Sequence, residues 1–252
     1  MRLQTEGATV TAAASSMEPR EPKYYTVKRH LLELIEALDP GAPVPTEREL
    51  TVELGTSRTT VRQALGELVG EGRLIRRQGS GTFVAEPKMT WPLQMTSFTE
   101  QAAANGFVAS ARLLSAERIR ATAETSTRLG LSDGAPVYRF ERLRLADDIP
   151  MAVETSHLSV AAFPGLIKHV KRASSLYRVL ADVYGVTPVT AEESIETSAA
   201  APREAALLGT DTGAPMLVLG RHSFEADGTP VEWVRSWYRG DRYRFVAQLT
   251  TI

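Results

Sequence analysis

Apolar positions divide the chain into a helical head and a longer part where strand and helix signals alternate. In residues 25–38, Val27, Leu31, Leu34, Ile35 and Leu38 recur at helical spacing until Asp39-Pro40-Gly41 interrupts them. Thr46-Glu47-Arg48-Glu49 has the T-x-x-E form of a capping box, which predicts a short second helix ending at Gly55. Ser57 is placed to cap a third helix with the stripe Val61, Leu65 and Leu68, closed by Gly70-Glu71-Gly72. Residues 74–77 and 82–84 read as short strands around Gln78-Gly79-Ser80-Gly81, whose glycines permit the positive φ of a hairpin tip. Three helices followed by a hairpin form a winged helix-turn-helix plan over residues 21–85. Residues 1–20 have no apolar periodicity and are expected to be a disordered tail, and 86–95, with Pro87 and Pro92, are expected to be a linker.

Residues 96–252 form the second predicted domain. Strand-like alternation covers residues 112–119, 137–145, 151–158, 189–197, 216–224, 231–238 and 243–249, and helical spacing covers 98–105, 121–129, 176–184 and 202–208. Asp147-Asp148 and Asp227-Gly228 fall between neighbouring strands as hairpin turns, which predicts a largely antiparallel sheet with flanking helices. The fold class is therefore α+β.

Composition narrows the function classes. No apolar run approaches the roughly 18 residues that span a bilayer, and no charged start leads into an apolar signal core, so the expected location is the cytoplasm, without a membrane partner. Cysteine is absent, which removes disulfides, thiolate metal sites and cysteine nucleophiles. His30, His157, His169 and His222 lack metal-ligand spacing, so neither a metal nor another cofactor is expected. A formal net charge of −1 argues against coating nucleic acid by bulk charge and requires any DNA contact to be local. Between residues 56 and 85, five arginines stand against two glutamates, and a phosphate footprint could lie there.

In a helix-turn-helix, the second helix of the pair enters the major groove. Arg58, Thr59, Thr60, Arg62 and Gln63 occupy its first turns, where arginine can fork onto guanine or clamp a phosphate. Read without function, the same residues form a solvated face on an ordinary three-helix bundle. In the second domain, Tyr138, Phe140, Arg142 and Arg144 alternate onto one strand face. If that face is interior, two guanidinium groups point inward and call for an anion between them. The competing reading has Glu141 or another carboxylate neutralising them at an exposed strand end. Ser174-Ser175-Leu176-Tyr177 opens a helix whose free amides suit phosphate, although Ser175 also suits a simple N-cap. Glu154, Glu232 and Tyr238 are polar residues on strands, available to a hydroxylated ligand or to the surface.

Three ordered motifs carry a resemblance: Val44-Pro45-Thr46-Glu47-Arg48-Glu49-Leu50, the run from Thr56 to Leu65, and Gly79-Ser80-Gly81-Thr82-Phe83-Val84. The chain resembles the GntR family of bacterial transcription regulators. That resemblance implies DNA contacts by Arg48, Arg58, Thr60, Arg62 and Gly81. Thr96-Ser97-Phe98-Thr99-Glu100, Glu141-Arg142-Leu143-Arg144, Pro150 to Glu154, Ser174 to Tyr177 and Pro230 to Trp233 resemble the HutC subfamily. Its effector module, the UTRA domain, shares the fold of chorismate lyase. Within it the chain is most similar to repressors of N-acetylglucosamine utilisation, whose effector is an amino-sugar phosphate. The resemblance implies that Ser97, Arg142, Arg144, Ser175 and Tyr177 hold phosphate beside Phe98, and that Glu154, Glu232 and Tyr238 hold the sugar. Gln101-Ala102 departs from the Asp-Met expected beside the pocket.

The expected function is thus a homodimeric repressor that binds palindromic double-stranded operator DNA and answers a phosphorylated sugar or another small anionic metabolite. An enzyme on the lyase fold is the rival reading, but the sequence has no nucleophile-base pair to support it. A ligand-free architectural DNA protein would need neither the near-neutral charge nor the second domain.

Overall fold

The computed structural model describes residues 22–249 apart from 78, 172 and 174, so the expected N-terminal tail and Ser174 lie outside the described residues. The head follows its apolar pattern. Helix α1 (Lys23–Glu36) buries Val27, Leu31 and Ile35, and α3 (Arg58–Gly70) buries Val61, Ala64, Leu65 and Leu68 against them. Between them, α2 (Glu47–Glu53) begins with the predicted capping box: the Glu49 amide donates to Thr46 Oγ1 at 3.3 Å, and the Thr46 amide donates to Glu49 Oε2 at 2.7 Å. Strands β1 (Leu74–Arg77) and β2 (Gly81–Val84) pair antiparallel as the wing.

The segment expected to be an irregular linker contains a strand. β3 (Met89–Pro92) runs parallel to β10 (Tyr243–Val246), and Trp91 within it is fully buried. Four residues ending in proline, paired some 150 positions away, present no local periodicity to read. Strand signals at 243–249 accordingly shorten to β10.

In the second domain α4 (Phe98–Ala104), β4 (Ala109–Arg120), α5 (Ala123–Arg128), β5 (Pro136–Ala146), β6 (Ile149–Ser159), α6 (Leu166–Val170), α7 (Leu176–Tyr184), β7 (Thr190–Ala199), α8 (Pro202–Leu208), β8 (Pro215–Phe224) and β9 (Pro230–Arg239) follow in order. The six longer strands form one antiparallel sheet ordered β4-β5-β6-β9-β8-β7. Asp147 and Asp148 take φ of 46° and 61° in the β5–β6 turn, the left-handed pair required by a tight hairpin. One sheet face carries Tyr138, Phe140 and Leu158 against α6 and α7, while Leu143 and Val153 face the opposite way onto α8. Five-residue α6, too short for a periodic signal, was not expected from the sequence.

The head rests on the second domain at the turn after β9. Lys88 Nζ donates to the Gly240 carbonyl at 2.7 Å, and Gly72, at φ +68°, lies so close to Asp241 that a Cβ would stand 2.0 Å from its carbonyl oxygen. Gly72→Ala should therefore lower the free energy of unfolding by about 1–3 kcal/mol, through left-handed backbone strain and this contact together. Denaturant unfolding measures it; an unchanged midpoint would mean that the two parts do not touch there in solution.

Candidate DNA-reading head and effector cavity

On the head, Arg48, Arg58, Thr59, Arg62 and Gly81 are exposed and Thr60 is half-buried. Ser57 caps α3 through the Thr60 amide at 3.1 Å, and its hydroxyl also meets that of Thr60 at 2.8 Å, so Thr60 belongs to the cap as well as to the exposed turn. Arg62 does not project freely. Its guanidinium donates to Glu47 from Nη2 at 3.0 Å and Nε at 3.3 Å, joining the start of α2 to α3. This bond, helped by the positive charge of Arg62, Arg76 and Arg58, holds the Glu47 carboxyl below its ordinary range. Glu47 was read from the sequence only as part of a capping box. Its place one helix away from the arginines is a tertiary fact that spacing along the chain does not reveal.

In the second domain the strand alternation places Arg142 and Arg144 on the interior face, with 3% and 5% exposure, where both line a polar cavity. The anion between them is Glu154, opposite Arg142 on β6. Arg142 Nη2 donates to Glu154 Oε1, as does Arg144 Nη2 at 2.9 Å, and Arg144 Nε donates to Oε2 at 3.2 Å. Glu141 faces away and accepts from Arg203 at 2.9 Å. The competing reading was thus right that a carboxylate meets the pair, although the pairing is interior and Glu141 is not the partner. Burial opposes ionisation of Glu154, but the charges of Arg142 and Arg144 and their hydrogen bonds outweigh it and hold the carboxyl at about 2. Arg142 still keeps Nε and Nη1 buried without an acceptor among the described residues.

Ser97, Phe98, Tyr177, Glu232 and Tyr238 also line the cavity. Arg144 lies over the Phe98 ring at 5.6 Å, and Ser97 caps α4 in a second capping box with Glu100. Tyr177 hydroxyl meets Ser223 Oγ at 3.0 Å. Burial and the neighbouring Glu154 charge push the Glu232 carboxyl up. Ser175 is not brought into this cavity. It caps α7 through the Arg178 amide at 3.3 Å and lines an adjoining cleft that shares Ser97 and Tyr177. The sequence reading missed Arg221, which lines the cavity from β8 and forks onto Glu193 at 3.0 and 3.1 Å while donating to the Thr96 carbonyl. Its alternation with Leu219 on the predicted strand was the available signal. No group of histidines and carboxylates that could hold a metal occurs among the described residues.

Comparison with known proteins now bears on both parts. Residues 23–84 match the description "Bacterial regulatory proteins, gntR family", and residues 104–244 match the UTRA domain. The chain belongs to the GntR family of transcription regulators, in its HutC group. It is 41% identical to the HTH-type transcriptional repressor NagR of Bacillus subtilis over 89% of this chain and 93% of that one. It is 37% identical to the repressor PhnF of Mycolicibacterium smegmatis over 94% and 96%, and 31% identical to the histidine utilization repressor of Pseudomonas putida over 93% and 95%. The crystal structure of PhnF covers 90% of this chain and all of its own at a TM-score of 0.65. This GntR regulator is accordingly a DNA-binding transcriptional repressor by family and not an enzyme. No helix among its described residues is long and apolar enough to cross a membrane.

Glu154 also sets an acid dependence of stability. Its folded-state pKa is depressed, so its contribution is complete above the ordinary value of 4.5 and disappears as pH falls toward about 2. Glu154→Gln should be less stable than wild type at neutral pH, and the two stabilities should converge across that window. Denaturation of both proteins at a series of pH values tests this; parallel curves would exclude Glu154 as the source.

Proposed function

We propose that this GntR regulator is a homodimeric repressor whose operator complex is dissolved by a phosphorylated amino sugar, glucosamine 6-phosphate or N-acetylglucosamine 6-phosphate, bound in the cavity of the second domain. The observation that carries the ligand class is buried Arg142, with two unpartnered guanidinium nitrogens in a polar cavity beside Arg144. Charge-assisted bonds from such groups suit phosphate, and Ser97 and Tyr177 adjoin them. Glu154, Glu232 and Tyr238 would accept from or donate to sugar hydroxyls. Ser175 would contribute through the adjoining cleft, by way of Tyr177. The sequence resemblance to repressors of N-acetylglucosamine utilisation and the 41% identity to NagR support the amino-sugar choice. PhnF and the histidine utilization repressor are also similar over most of their length, so titration decides the effector.

On the DNA side, Arg48, Arg58, Thr59, Thr60, Arg62 and Gly81 would form the reading face. One head offers few base contacts, whereas a twofold dimer on a palindrome doubles them. Arg58→Ala should weaken operator binding by about 1–3 kcal/mol per half-site without unfolding the protein, as measured by fluorescence anisotropy at fixed salt. Wild-type affinity in that variant would place the reading face elsewhere.

Calorimetric titration with the two sugar phosphates, with and without operator DNA, tests the effector reading. Ligand should weaken DNA binding by the same factor by which DNA weakens ligand binding. Arg142→Ala should lose the response and keep operator affinity. If neither sugar phosphate binds wild type, the effector belongs to another class while the repressor stands.

A further inference from the structure

The cavity is more nearly neutral than a site built around bare arginines. Arg142, Arg144 and Arg221 line it, and so do Glu154, Glu193 and Glu232. Two of the three arginine forks are already filled from within the protein. Glu154 accepts from Nε and Nη2 of Arg144, the side-by-side geometry that arginine uses for carboxylate and phosphate alike, and Glu193 does the same for Arg221. The Nε–H and Nη1 donors of Arg142 remain, on different sides of the guanidinium and therefore not as a fork, on a side chain whose Nη2 is bonded to Glu154.

A free anion entering this space would find no open arginine fork, only the separate Nε and Nη1 donors of Arg142, and would face buried carboxylate charge held in place by that same guanidinium. We propose that Glu154 is a built-in counter-anion that excludes simple anions, so that the cavity admits a phosphate only when the same molecule also brings hydroxyl or ammonium donors to the carboxylates. This deepens the proposed function and rests on its reading of the cavity as the effector site. A phosphate ester of an amino sugar meets both demands: its anion meets the remaining donors of Arg142, and its own donors satisfy oxygens that the arginines would otherwise share with the anion. Inorganic phosphate meets only the first. A site with exposed arginine forks would bind any abundant anion, whereas one whose forks are filled by its own carboxylates responds to the complete ligand.

The size of the effect follows from Coulomb's law. Removing one unit charge about 6 Å from a bound anion, at an effective dielectric near 20, changes the anion's affinity by about a hundredfold. The experiment is calorimetric titration of the full chain with inorganic phosphate and, separately, with glucosamine 6-phosphate, in a buffer free of other polyvalent anions. Wild type should bind inorganic phosphate at least about a hundredfold more weakly than E154Q does. Equal phosphate affinity in wild type and E154Q overturns the proposal. Should E154Q fail to fold in a melting assay, E154S decides: it removes the same charge with a smaller side chain and should gain phosphate affinity likewise, and no gain overturns the proposal as well. Failure of the amino-sugar reading is separately visible. Wild type would then ignore glucosamine 6-phosphate while E154Q still gained inorganic phosphate, and the counter-anion role would stand for another donor-bearing anion.

Discussion

The second domain is organised around a buried ionic cluster. Strand alternation forces Arg142 and Arg144 inward together with Tyr138 and Phe140, and two desolvated guanidinium groups are tolerable there only because Glu154 meets both from the neighbouring strand. That pairing depends on register: Arg142 stands directly opposite Glu154, and a slip of one residue would turn the carboxylate to the α8 face and leave the arginines unpaired. A hydrophobic cluster would probe register less sharply, because one apolar side chain replaces another at small cost. The ionic contact therefore specifies the β5–β6 pairing as well as furnishing the cavity. The sheet around it is ordinary in its packing, with Leu143 and Val153 on the far side burying α8.

What could be read from sequence followed the range of the interactions. Head helices, caps and wing were legible because each depends on residues within a few positions: Thr46 with Glu49, Ser57 with Thr60, and glycines at the hairpin tip. The inward face of β5 was legible for the same reason, since alternation is local. The partner of the arginines was not, because Glu154 is opposite Arg142 only after the Asp147-Asp148 turn fixes the register. Arg221 was hidden by its distance in the chain, and β3 by its pairing with a strand at the other end of the domain. Ser175 illustrates the converse. Its hydroxyl at a helix start was read as a phosphate donor in preference to a simple cap; it forms the cap, and nothing in the local sequence says which cavity that helix start faces.

The same long-range pairings connect the cavity to the head. Tyr238 lines the cavity near the end of β9, and its ring meets Tyr243 at 4.6 Å; Tyr243 meets Trp91 of the linker strand at 4.7 Å, and Trp91 meets Phe98, another cavity residue, at 5.0 Å. Immediately after β9, the turn at Gly240 and Asp241 touches Lys88 and Gly72 of the linker and head. A β3–β10 strand pair thus stands where an irregular linker was expected, and this changes what an effector has to do. A loose tether would isolate the heads from the cavity, whereas a strand packed on two cavity residues shares its fate. Contact alone does not transmit anything: a ligand biases the heads only if these aromatic contacts differ between two states that bind it unequally. Trp91 and Tyr243 keep Nε1 and the hydroxyl buried without partners among the described residues, so this packing leaves hydrogen-bonding capacity unused there. An arrangement that satisfied those groups would regain part of their desolvation cost. The junction thus carries unsatisfied groups as the Arg142 guanidinium beside it does, and both lie where cavity and linker meet.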